Sequence, residues 1–190
     1  MRALRQNLNN VVAALFVTVM ISLPTGGANA ADSARLDQLF AQLLKADERA
    51  ALRIAGEIEL EFSKSGSASM DLLLKRGRDA FEAGQSGVAI QHLTALTDHA
   101  PDFAEGFYWR ALAYIQAELY GPAFADLERA LTLAPRHFGA IEALGYVLVV
   151  MERPHMAQEA YERVLAIHPH HKDVLTALDS LGPQIRGQDL

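Results

Sequence analysis

Seven histidines occur in this chain of 190 residues, and three of them, His168, His170 and His171, surround Pro169. Imidazoles this close in sequence can share a metal ion, and zinc or copper suits such nitrogen ligands. A structural reading fits the same residues. His168 would close a helix, where a cationic side chain meets the negative end of the dipole, and His170 would act as a weak cap. His99 and His137 occupy similar junctions earlier in the chain, and spacing alone places no carboxylate beside the three. Metal handling through His168, His170 and His171 is therefore the alternative function, while the principal expectation has no metal and no cofactor.

The other reactive residue types form no catalytic pattern. No nucleophile elbow, paired-carboxylate motif or glycine-rich phosphate loop surrounds the serines, acids and histidines. There is no cysteine, which excludes a disulfide framework, a thiolate site and a lipidated N-terminal cysteine. The expectation is a protein that is not an enzyme.

Arg2 and Arg5, an uncharged apolar run over 11–23 and the small-x-small string Ala28-Asn29-Ala30 read as a secretory signal peptide over 1–30, cut before Ala31. An uncleaved anchor is the other reading of that segment. Export without cysteine points to a bacterial periplasm. The whole chain carries 23 acidic and 17 basic residues, a net charge of −6. Losing Arg2 and Arg5 leaves 15 basic residues and a charge near −8. Nucleic acid and anionic membrane surfaces call for basic patches, so neither is an expected partner.

The elements that must position any site are written three times between residues 70 and 171. Pro101, Pro135 and Pro169 close three copies at equal spacing. Leu73, Phe107 and Ile141 then share a column, as do Gly77, Ala111 and Gly145 one helical turn later. Ala89, Ala123 and Ala157 form a small-residue column in a second helix, followed by Leu93, Leu127 and Tyr161, then Leu96, Ala130 and Val164. A helix pair cannot bury its apolar face alone, so successive pairs must stack and share a core. The small columns are expected to face each other and let backbones approach, with large residues filling either side. The pattern is similar to the tetratricopeptide repeat family, whose helix–turn–helix unit repeats about every 34 residues. The resemblance implies an all-α, right-handed α-solenoid of three repeats, 70–103, 104–137 and 138–171, with N- and C-terminal helical caps.

Outside the repeats, residues 31–69 read as an N-terminal helical cap and linker. Leu36, Leu39, Phe40, Leu43 and Leu44 make one apolar stripe, and Ala51, Ile54, Ala55 and Ile58 make another. Ser69 is the expected N-cap of the first repeat helix, and Asp102 with Glu105 the expected capping box of the second copy. Residues 172–181 read as a capping helix stopped by Gly182-Pro183, with 182–190 a flexible tail.

The family resemblance implies a concave groove lined by fixed positions of each first helix. Carried over, it is lined by Leu74, Arg78 and Phe81 in copy one, by Tyr108, Leu112 and Ile115 in copy two, and by Glu142, Tyr146 and Val149 in copy three. Asp71, Glu82, Glu105, Gln116, Gly139 and Val150 complete the implied positions. The subfamily that clamps acidic C-termini needs lysine, asparagine and arginine where this chain has Leu74, Arg78, Trp109, Gly139 and Ala143, so that activity is not implied. What is implied is a non-catalytic adaptor or scaffold whose groove holds a peptide or helical segment of an envelope protein, with Tyr108 and Tyr146 as anchors. An accessory subunit of an envelope enzyme complex and a homodimer are further readings. The apolar segment 35–62 is at hand to cover part of the groove, and the expectation is cover near Phe81 with an opening between Tyr108 and Tyr146.

Overall fold

The computed structural model describes residues 27–188, and every regular element among them is a helix. In order these are α1 (Gly27–Leu43), α2 (Glu48–Phe62), α3 (Ala68–Glu82), α4 (Ser86–His99), α5 (Ala104–Gln116), α6 (Tyr120–Leu133), α7 (Phe138–Val150), α8 (Pro154–Ile167) and α9 (Lys172–Gln188). The expected leader falls almost wholly outside the described residues, and α1 runs through the expected cut before Ala31. No helix among the described residues is long and apolar enough to cross a membrane. From Arg35 onward the described residues pack as one compact unit.

The pairs α3/α4, α5/α6 and α7/α8 are the three copies, and each is punctuated the same way. Gly84, Glu118 and Glu152 close the first helices with φ of 71°, 60° and 57°. The next amide in each case reaches back five residues: Gln85 to Ala80, Leu119 to Tyr114 and Arg153 to Leu148, at 2.8–2.9 Å. This left-handed closure satisfies carbonyls that a helix end otherwise leaves bare. Glycine adopts it freely, whereas the two glutamates bear roughly 1–2 kcal/mol of strain each. The second helices end at Ala100, Ala134 and His168, all with φ near −130° and ψ of 69–81°. Each precedes a proline, whose ring excludes the helical region for the residue before it.

Between paired helices the fit is tight at the glycine column. A Cβ on Gly77 would lie 2.5 Å from Leu93 Cγ, and one on Gly145 2.5 Å from Tyr161 Cε1. The nearest neighbours are thus the large column rather than the facing alanines, because the bulky side chain reaches across the interface onto bare backbone. Copies one and two are tied by a polar network: Arg110 donates to both Asp126 oxygens, at 2.6 and 2.8 Å, and to Thr97 Oγ1 at 2.7 Å.

Three local expectations are corrected. Ser67, not Ser69, precedes α3, and it makes no side-chain cap bond; Asp71 instead reaches back to accept from the Ser65 amide at 3.0 Å. Asp102 and Glu105 form no capping box, since Phe103 holds the N-cap position of α5 and Glu105 turns inward. Gly182-Pro183 does not stop the last helix, which continues to Gln188 with Pro183 inside it. A proline there costs about 3 kcal/mol, and burial offsets it: Val174 and Leu181 are buried, and Ile185 packs on the same apolar cluster beyond the proline.

The N-terminal helices do not cap copy one. Leu39, Phe40, Leu43, Ile54 and Ile58 share one buried cluster with Phe138, Ile141, Tyr161 and Val164 of copy three and with Val174 and Leu181 of α9. Ion pairs between Asp37 and Arg136 and between Glu48 and Lys172 fasten the same seat. The α2 N-terminus is well formed, with Asp47 Oδ1 accepting from the Ala50 amide at 2.8 Å.

Candidate functional site

His137 stands between copies two and three with both ring nitrogens engaged. Its Nδ1 accepts from the Ala140 amide at 3.2 Å, which caps α7. That leaves Nε2 to carry the proton, and it lies 2.9 Å from Glu105 Oε2. The other Glu105 oxygen accepts from Trp109 Nε1 at 2.8 Å. Both Glu105 and His137 are buried. The carboxylate therefore receives two neutral donors and keeps its charge uncompensated.

Aromatic rings enclose this pair. Phe62, at the end of α2, lies parallel to the His137 ring at 4.5 Å, and Tyr108 lies against it, also at 4.5 Å. Trp109 meets Tyr108 edge-on at 5.7 Å and carries the Arg78 guanidinium over its face at 4.5 Å. Gly139 leaves the space the Tyr108 hydroxyl occupies, since a Cβ there would come within 2.9 Å of that oxygen. These residues, with Glu59 of α2, line a cavity of about 240 Å³. Burial, then the negative charge of Glu105, pushes the Glu59 carboxyl above the usual carboxylate range. Burial also pushes the Tyr108 hydroxyl far up, with Glu105, Glu142 and Glu59 adding to it.

The implied groove positions divide around this cavity. Arg78 and Tyr108 line it, together with Glu105 and Gly139. Leu74 is buried in the core of copy one, so it offers little to a partner. Phe81 is half-buried, edge-on to Trp109 at 5.6 Å. Leu112 and Ile115 are half-buried on the core of copy two, and Val149 packs at the edge of the large cluster. Tyr146 and Val150 are exposed, at 46% and 38%. Cover by the segment 35–62 falls at His137–Gly139 rather than near Phe81, because its apolar stripe finds the larger apolar surface of copy three. The open part of the face lies beyond it, around Tyr146.

Of the three histidines around Pro169, His168 and His171 are neighbours, their rings edge-on with centroids 5.0 Å apart. His170 is exposed, and His168 is buried edge-on to Phe138 at 5.7 Å, its Nδ1 without a hydrogen-bond partner. Burial, helped by the charge of His171, lowers the His168 pKa. His171 pairs with Glu142 at 3.4 Å, and that hydrogen bond raises its pKa. One ligand atom each of Glu142, His171 and Asp173 falls within 4.8 Å of the others.

Sequence reasoning missed His137, Trp109, Phe62 and Glu59. Trp109 sits one residue from a groove column and His137 two, and Phe62 ends an apolar stripe whose seat no periodicity reveals. The legible signal was Glu105, a carboxylate at a column otherwise held by Asp71 and Gly139, and 32 residues before a histidine.

A model of the tetratricopeptide repeat matches residues 74–137. A TPR repeat-containing protein of Rhizobium etli is 32% identical over 161 residues, covering 84% of this chain and 79% of that protein. Among solved structures, the MamA protein aligns over 83% of this chain and 84% of its own, with a TM-score of 0.59 and 22% identity. The first TPR of Spaghetti (RPAP3), solved with the HSP90 peptide SRMEEVD, aligns over 62% of this chain and 93% of its own, with a TM-score of 0.60 and 23% identity. At those identities the solved structures speak to the fold.

Proposed function

Because this chain belongs to the tetratricopeptide repeat family, we propose that it is a non-catalytic adaptor that holds a segment of a partner protein against its concave face. The observation that carries this reading is the exposure of Tyr146 and Val150 on α7, at groove positions that the segment 35–62 leaves free. Large apolar and aromatic side chains on such a face suit a peptide or amphipathic helix. Repeat domains of this fold solved with HSP90 and HSP70 peptides support segment binding as its mode of action. The acidic C-termini of those peptides do not transfer here, since of the clamp positions Leu74, Arg78, Trp109, Gly139 and Ala143 only Arg78 is basic.

An exported, periplasmic setting belongs to the same proposal and rests on Arg2, Arg5, the run 11–23 and Ala28-Asn29-Ala30. An envelope protein is then the expected partner. The test is recovery of partner by the tagged full chain and by its Tyr146→Ala, Val150→Ala double variant. Loss of partner with an unchanged thermal melt supports the proposal. Equal recovery by both proteins contradicts it.

A further inference from the structure

We infer that the cavity between Phe62, Tyr108 and Trp109 is a socket for one basic side chain, a lysine or arginine of the bound segment, held by the aromatic walls and the Glu59 carboxylate. The inference rests on the adaptor reading of this face and names the chemistry of its partner.

Charge accounting points to a monocation. Two carboxylates, Glu59 and Glu105, face the cavity, with Arg78 the cation among its lining residues. His137 adds no charge, because the Ala140 amide holds its Nδ1 as an acceptor. The lining is thus one positive charge short of neutrality. Glu105 has both oxygens occupied by Trp109 and His137, so it contributes field rather than a contact. Glu59 is the available ligand: its carboxylate makes no hydrogen bond or ion pair among the described residues. Glu59 is exposed at the cavity mouth, within reach of an incoming side chain, and the nearby negative charge of Glu105 adds to the pull on a cation.

The walls suit the same guest. Arg78 lying over Trp109 at 4.5 Å shows that this surface accepts a cation on a ring face. Phe62 and Tyr108 supply further rings, and the alkyl stem of a lysine or arginine has apolar contact to make on the way in. A free amine lacks the flanking chain that the groove around Tyr146 would hold, so the cation is assigned to a segment's side chain.

The chain contains one tryptophan, so Trp109 emission reports on this cavity directly. The experiment titrates the full chain with the blocked peptide acetyl-Ala-Leu-Lys-Leu-Ala-amide and with versions carrying norleucine or glutamate in place of the lysine. n-Butylammonium chloride is the fourth probe, and all run at constant ionic strength. The expected result is a saturable Trp109 change with the lysine peptide, at least tenfold tighter than with norleucine, tighter than with butylammonium, and absent with glutamate. Glu59→Gln should bring lysine and norleucine within about twofold of each other, with the melt unchanged. Equal binding of norleucine by the wild-type chain overturns the socket while leaving the adaptor reading intact. Tighter glutamate binding overturns its sign, and no response to any peptide overturns the inference outright. Butylammonium binding as tightly as the peptide reassigns the cavity to free amines and overturns the side-chain assignment.

Discussion

The Glu105 carboxylate and the His137 imidazole, 32 residues apart in sequence, meet at 2.9 Å in the buried seam between copies two and three. His137 also caps α7 through Nδ1. His137→Ala therefore removes a cap and one donor to a buried charge, and should cost roughly 2–4 kcal/mol. His137→Asn restores a cap acceptor but is too short to satisfy Glu105, so its loss should fall between the two. Urea unfolding of the three proteins measures both differences.

The left-handed helix ends give a second prediction. Glu118→Gly and Glu152→Gly remove strain at φ of 60° and 57° and should each stabilise by about 0.5–1 kcal/mol after the added chain entropy of glycine. Gly84→Ala should destabilise by about 1 kcal/mol. No atom lies within 4 Å of a Cβ placed there, so that loss would come from the backbone alone. Thermal melts compare the three.

The glycine column predicts a rescue. Gly145→Ala drives a methyl into Tyr161 and should cost roughly 1–3 kcal/mol. Adding Tyr161→Leu converts the pair to the alanine–leucine combination that copy two already uses at Ala111 and Leu127. The double variant should recover much of the loss. Gly121→Ala, with open space around its Cβ, should leave the melt nearly unchanged.

Two neighbouring histidines predict opposite responses to pH. The His171 pKa is raised by its bond to Glu142, so its contribution is present below the unfolded value near 6.5 and is lost as pH rises through the folded value. The His168 pKa is lowered by burial, so stability is lost as pH falls below about 6.5 toward the folded value. His171→Gln should show a deficit against wild type at pH 5.5 that shrinks by pH 8. His168→Phe should show a gain that grows as pH falls, since it also removes the unpartnered Nδ1. Urea midpoints across that range test both.

Much of the solenoid was legible because each copy carries its own punctuation. The prolines at 101, 135 and 169 and the small columns are local devices, and each proline directly follows the end of a second helix at Ala100, Ala134 or His168. What was not legible depends on contacts far apart in the chain. The two N-terminal stripes announced a buried hairpin, but only the three-dimensional surface of copy three, with Phe138 and Ile141, decides where it lies. Pro183 looked like a stop because proline costs a helix a hydrogen bond, and only the packing of Leu181 and Ile185 shows why the helix continues. Glu105 looked like a cap because its partner His137 lies 32 residues on, at the N-cap of α7. The family resemblance put Tyr108 and Tyr146 in one groove, yet periodicity could not say that Tyr108 would be enclosed and Tyr146 exposed.

Site-specific photo-crosslinking tests the central claim most directly. p-Benzoylphenylalanine is placed at Tyr146 on the open concave face or at Ala125, exposed on α6, and the cells are irradiated. The account predicts a discrete protein adduct at position 146 and none at position 125. An adduct at 125 with none at 146 would contradict the concave face as the partner site.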